Sequence, residues 1–201
     1  MERVSFTQFV DFILDSGAPK ASSVREHKEH GFDPRHDFYR PLREGIVDMH
    51  RYARASSSLG DLVVNQPDER KRRLYPPLIA GYRKFLEGRH VRWLALPKAS
   101  LGIGGVEITI NPDLALLIEG KPHLLKTWFR SDTLSQKRVA LVAGLMEKAL
   151  SDRWPDAAFG MLDVKNGRLR VIKEIESQHR ARLDLLLAGE AAAFSTMLSA
   201  A

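Results

Sequence analysis

Residues 105–129, GVEITINPDLALLIEGKPHLLKTWF, decide how the rest of the chain is read. Two apolar runs, Asp113–Ile118 and Pro122–Phe129, flank Glu119-Gly120-Lys121, which has the residues of a hairpin turn. With Glu119-Gly120 as a two-residue loop, Ile118 pairs with Lys121. Antiparallel register then carries Asp113 opposite Lys126, both side chains on one face. A four-residue loop sets Lys126 opposite Ala115 and leaves Asp113 a diagonal neighbour; a three-residue loop breaks the arrangement. Leu124, Leu125, Trp128 and Phe129 border Lys126, where an ammonium must reach solvent or meet an anion. The pair is either a structural ion pair or part of a metal-dependent phosphodiesterase site.

Outside this stretch the chain reads as an ordinary globular protein. Its 201 residues are 44% hydrophobic and 28% charged, enough for one sizeable core. A net charge of +6 and a pI near 9.7 favour polyanionic partners, nucleic acid first. No cysteine is present, which excludes disulfides and thiolate metal sites and fits a cytoplasmic location. The first residues carry acids within their apolar pattern, unlike a signal peptide. No apolar run stands out as a bilayer span, so no membrane association is expected.

Periodicity gives the order of elements. Ser5 caps a helix with Phe6, Phe9, Val10, Ile13 and Leu14 on its apolar face, stopped by Gly17. Residues 18–40 read as a polar connector in which Ser22 or Ser23 starts a short helix to Glu29. His27, His30 and His36, with Asp33 and Asp37 nearby, have the chemistry of metal ligands, and equally that of a solvated connector. Arg25, Lys28, Arg35, Arg40 and Arg43 can face phosphates or simply solvent. Pro41 opens a helix to about Ala55. Residues 55–60 read as a linker, dividing an N-terminal helical region (1–58) from a main domain (59–201). Arg70-Lys71-Arg72-Arg73 is the densest basic cluster, a phosphate-contacting patch or the polar side of a helix start. Pro76-Pro77 is expected to begin a helix that continues to Gly88.

Strand patterns follow at 91–97, 105–110 and in the hairpin, then a helix capped by Asp132 or Ser135 and running to about Arg153. Residues 157–164 and 168–172 form two strands around Asn166-Gly167, and a last helix runs from about Glu174, with Gly189 as its expected break. The expected architecture is mixed α/β: a central mixed sheet of about five strands flanked by helices.

This order resembles the PD-(D/E)xK nuclease superfamily, most nearly its RecB-like branch, over residues 76–172. The family core is a helix, three meandering strands, a helix and a further strand. Asn111-Pro112-Asp113-Leu114 matches its Pro-Asp element. Leu124-Leu125-Lys126-Thr127 falls where the family often reads acid-x-Lys-Thr, and Gln136 where RecB-like members often carry a glutamine. The resemblance implies a restriction-endonuclease-like core, with Asp113 as a Mg²⁺ ligand and Lys126 assisting the nucleophile or the developing charge. Leu124 stands where the second carboxylate belongs, and it has no donor for a cation. Glu107 is the best candidate for a migrated acid, or else a solvent-facing strand residue; Asp163 is the next.

Three functions follow. The first is a nucleic-acid-associated protein of this fold, degenerate in catalysis and acting by binding, DNA ahead of RNA. The second is an active Mg²⁺-dependent DNA nuclease using Asp113, Lys126 and Glu107, with Arg70, Lys71, Arg72, Arg73 and Gln136 on the nucleic acid. The third is a protein-interaction or structural module whose N-terminal helices dock a partner or a second copy.

Overall fold

The expected hairpin is present in the expected register. In the computed structural model, which describes residues 2–30, 37–64, 66–172 and 177–200, Ile118 pairs with Lys121 and Leu114 with Leu125. Glu119 and Gly120 both take positive φ, +48° and +78°, as a type I′ turn requires.

Among the described residues the order is β1 (Glu2–Ser5), α1 (Phe6–Leu14), α2 (Ala18–His30), α3 (Arg40–Arg51), a 3₁₀ turn (Ser56–Gly60) and α4 (Asp61–Val64). It continues with α5 (Glu69–Leu86), β2 (Val91–Trp93), β3 (Ala99–Ile103), β4 (Val106–Ile110), β5 (Leu114–Ile118) and β6 (Lys121–Trp128). The chain then forms α6 (Gln136–Leu150), β7 (Ala158–Asp163), β8 (Arg168–Val171) and α7 (Ser177–Ala200). The fold is mixed α/β, as expected, but it holds two mixed sheets rather than one. The larger has five strands in the order β2-β5-β6-β7-β8, with β6 and β7 parallel and its other neighbours antiparallel. The smaller has the order β1-β4-β3, with β1 parallel to β4.

The five-stranded sheet separates two cores, because its central strands are apolar on both faces. Ala115 and Leu124 face a core shared with α1, α6, α7 and the small sheet. Leu114, Leu116 and Leu125 face a second core with Leu42, Ile46 and Met49 of α3 and Tyr75, Leu78, Ile79 and Tyr82 of α5. The helices before residue 59 therefore contribute to both cores. The 55–60 stretch is itself a 3₁₀ turn that buries Leu59.

Several element boundaries differ from expectation for local reasons. α5 starts at Glu69, ahead of Pro76-Pro77, because Asp68 caps it by accepting from the amides of Arg70 and Lys71 at 2.9 and 3.3 Å. Both prolines lie inside the helix on its exposed side. Tertiary packing of Tyr75, Leu78 and Ile79 overrides their local preference. α2 begins at Ala18, directly after Gly17 at φ +61°. α1 and α6 have the expected caps, Ser5 in a reciprocal capping box with Gln8, and Ser135 accepting from the Arg138 amide. α7 runs through Gly189 and buries Leu187, Ala191 and Phe194, while Leu186 is exposed. Arg180–Ala200 is long and apolar enough, by length and composition, to cross a membrane, against the expectation that no apolar run stands out as a bilayer span.

Candidate functional site

Asp113 and Lys126 come together at the end of the β5–β6 hairpin. Pro112 and Asp113 lead into β5, and the Asp113 amide donates to the Leu125 carbonyl at 2.8 Å, holding the residue one step beyond the strand pair. Lys126 Nζ donates to Asp113 Oδ1 at 2.6 Å and to the Asn111 carbonyl at 3.2 Å. The other carboxylate oxygen, Oδ2, accepts from both the amide and the hydroxyl of Thr127, each at 2.8 Å. Arg43 of α3 brings its Nε to 3.9 Å from Oδ1 and is bonded on its far side to Asp37. Only 8% of Asp113 is exposed, so these donors take the place of water.

The electrostatics follow from this packing. Burial pushes the Asp113 carboxyl up, but the charges of Lys126 and Arg43, with the bonds from Lys126 and Thr127, outweigh it. The net result is a group held below the usual carboxylate range. Burial lowers the Arg43 guanidinium, and the two carboxylates beside it, Asp113 and Asp37, more than restore it. Two acids and two bases thus alternate in one compact network, and its formal charge cancels. Phe6, at the start of α1, closes one side, its ring centroid 5.6 Å from Lys126 Nζ.

The remaining candidates are dispersed. Glu107 lies in β4 of the small sheet, on the opposite face from the buried Val106 and Ile108, and bonds Arg3 at 2.9 Å. That bond, one from Ser100 and the charge of Arg3 hold its carboxyl below the usual range. Glu107 is engaged with Arg3 on the small sheet, and no hydrogen bond or ion pair joins it to Asp113 among the described residues. Leu124, at the second-carboxylate position of the resemblance, is fully buried in the apolar core. Asp163 is occupied by its own turn, accepting from the Asn166 amide and side chain at 3.3 and 2.8 Å. Among the described residues no three histidine or acidic side chains gather as metal ligands. The residues at Asp113 do not make the two-carboxylate Mg²⁺ set that the resemblance implies. His36 and the side chains of His27 and His30 lie outside what is described.

No family model, curated protein or solved structure matches this chain.

The basic candidates and Gln136 lie at the starts of two helices, α5 and α6. Arg70, Lys71, Arg72 and Arg73 form the first turns of α5, with Arg72 bonded to the carbonyls of Gln66 and Pro67. Gln136 is exposed at the first turn of α6. Two residues on, Arg138 lies 4.9 Å from the Trp128 ring centroid and bonds Asp11 at 2.6 Å. Sequence reading did not assign Thr127, Arg43 or Asp37 to the Asp113 site. Thr127 was legible in principle, since a threonine beyond the paired lysine presents two donors to the facing carboxylate. Arg43 and Asp37 had no such signal, because they lie in α3 and just before it, some seventy residues earlier in the chain.

Proposed function

We propose that this chain is a nucleic-acid-associated protein on a restriction-endonuclease-like core of the PD-(D/E)xK type, acting by binding rather than by cleavage. The order of elements supports that core: α5, then β2, β5 and β6 as neighbours in one sheet, then α6, then β7 returning parallel beside β6. The β3–β4 hairpin is an insertion in that order. The charge of +6 and the basic first turns of α5 fit a polyanionic partner.

The engagement of both carboxylate oxygens of Asp113 carries the preference for binding. Asp113 already accepts from Lys126 and twice from Thr127, and Leu124 supplies no second acid. A metal ion would have to displace donors that offset a buried charge. Fluorescence anisotropy with labelled DNA tests the reading: binding that weakens steeply with salt, and no cleavage in Mg²⁺ or Mn²⁺, is the expected result. Absence of binding at low salt to DNA and RNA alike would refute it.

The 2.6 Å contact between Asp113 and Lys126 favours one second reading, an active nuclease in which these two groups face the scissile phosphate. It predicts divalent-metal-dependent cleavage that Asp113→Ala abolishes. Equal turnover by wild type and Asp113→Ala would remove it.

A further inference from the structure

The basic cluster of α5 and the Asp113 network are joined by a run of aromatic rings. Arg70 and Lys71 bring their cationic ends to 5.8 and 5.6 Å from the Phe38 ring centroid. Phe38 meets Tyr39 edge to face at 5.0 Å and 82°. Tyr39 stacks on Phe129 at 5.2 Å and 18°, and its carbonyl accepts from the amide of Arg43, the residue that reaches Asp113. Phe38 and Tyr39 are only partly buried.

Charge at this rim is unbalanced in a particular way. Neither the Arg70 nor the Lys71 side chain makes an ion pair among the described residues. Asp68 accepts from backbone amides of α5 and Asp37 holds Arg43, while Glu69 is exposed beside Arg70. Two cations over one ring repel each other and attract an anion, and the partly exposed Phe38 and Tyr39 rings set apolar surface beside them. Phosphate and exposed base in alternation is the chemistry of a single strand, whereas a duplex hides its base faces in the stack.

We propose that the rim formed by Phe38, Tyr39, Arg70 and Lys71 is a binding surface for single-stranded nucleic acid, its phosphates on the two cations and its bases against the two rings. This deepens the nucleic-acid reading above and rests on it.

Anisotropy with a fluorescein-labelled DNA single strand of about 16 nucleotides, and with the same sequence as a duplex, tests it. The single strand is expected to bind about tenfold more tightly than the duplex. Phe38→Ala and Tyr39→Ala are each expected to weaken single-strand binding roughly tenfold and leave the duplex unchanged. Phe38→Leu and Tyr39→Leu, which keep apolar volume and lose the π face, provide the same readout if an alanine variant unfolds. Arg70→Gln with Lys71→Gln is expected to lower the salt slope of single-strand binding by about 1.4. Equal affinity for strand and duplex, or ring variants that bind the single strand as wild type does, overturns this surface while leaving the nucleic-acid reading intact. No binding to either probe overturns both.

Discussion

At the scale of single residues, the Asp113–Lys126 pair is set by a two-residue turn that fixes the hairpin register. Gly120 and the tolerance of Glu119 for positive φ set that turn, and every pair along the hairpin followed. Arg43, arriving from α3, adds a second cation beside the carboxylate. The pairing of Asp113 with Lys126 predicts strong coupling. Asp113→Ala leaves the Lys126 ammonium nearly buried against the Asn111 carbonyl and is expected to cost about 3–5 kcal/mol in urea unfolding. Lys126→Met leaves Asp113 its Thr127 donors and is expected to cost less. The double variant should be well short of the sum of the two, and strict additivity would deny that the groups act as a pair. A second residue-level prediction concerns pH. His50 Nε2 lies 2.5 Å from the Tyr82 hydroxyl between α3 and α5, and burial lowers its pKa to about 4. The unfolded chain takes up this proton near pH 6.5 and the folded chain does not, so stability falls as pH drops from about 6.5 to 4. His50→Gln is expected to flatten that part of the profile, which for one group of this shift is on the order of 3 kcal/mol deep. An unchanged profile in the variant would place the acid sensitivity elsewhere.

At the scale of elements, caps and alternation were legible and tertiary overrides were not. Ser5 and Ser135 cap as their side chains predict, because an N-cap is a local hydrogen bond. Pro76 and Pro77 misled for the complementary reason: their cost within α5 is local, and the burial that outweighs it is not. The β4 pattern showed a strand with one buried face, but alternation does not say which sheet the strand joins. Its parallel partner β1 lies about a hundred residues away in sequence. One glycine reports how closely α5 is seated on the large sheet. A Cβ at Gly81 would lie 2.2 Å from the Val164 carbonyl oxygen and 2.3 Å from that of Lys165, in the β7–β8 turn. Helix propensity alone favours alanine there by about 1 kcal/mol. Backbone atoms cannot swing aside as a side-chain tip can, so Gly81→Ala is expected to destabilise by about 1–3 kcal/mol in thermal or urea unfolding. A stabilised variant would mean that the helix and the turn are not in this contact.

At the scale of the whole molecule, the division expected at residue 58 meets a fold in which both cores draw on the first fifty residues. Val4, Phe6, Phe9, Val10, Phe12 and Ile13 line one side of the five-stranded sheet, and Leu42, Ile46 and Met49 line the other. The sequence showed the apolar faces of these helices but not their destinations, since an amphipathic stripe fits a partner, a second copy or the chain's own sheet equally well. Each of these buried side chains contributes on the order of 2 kcal/mol. Lost together, they exceed the roughly 5–15 kcal/mol by which a domain is stable. A chain of residues 59–201 is therefore expected not to fold alone: near-UV circular dichroism should collapse and a hydrophobic dye should bind. The intact protein should unfold in one transition, because its two cores share the same sheet strands and neither can empty without exposing the other's wall. Two separated calorimetric transitions, or a cooperatively folded 59–201 fragment, would restore the boundary and leave the N-terminal helices as a docked appendage. Arg43 sets the functional stake in that experiment, since a fragment without α3 also loses one of the cations that hold Asp113 ionised.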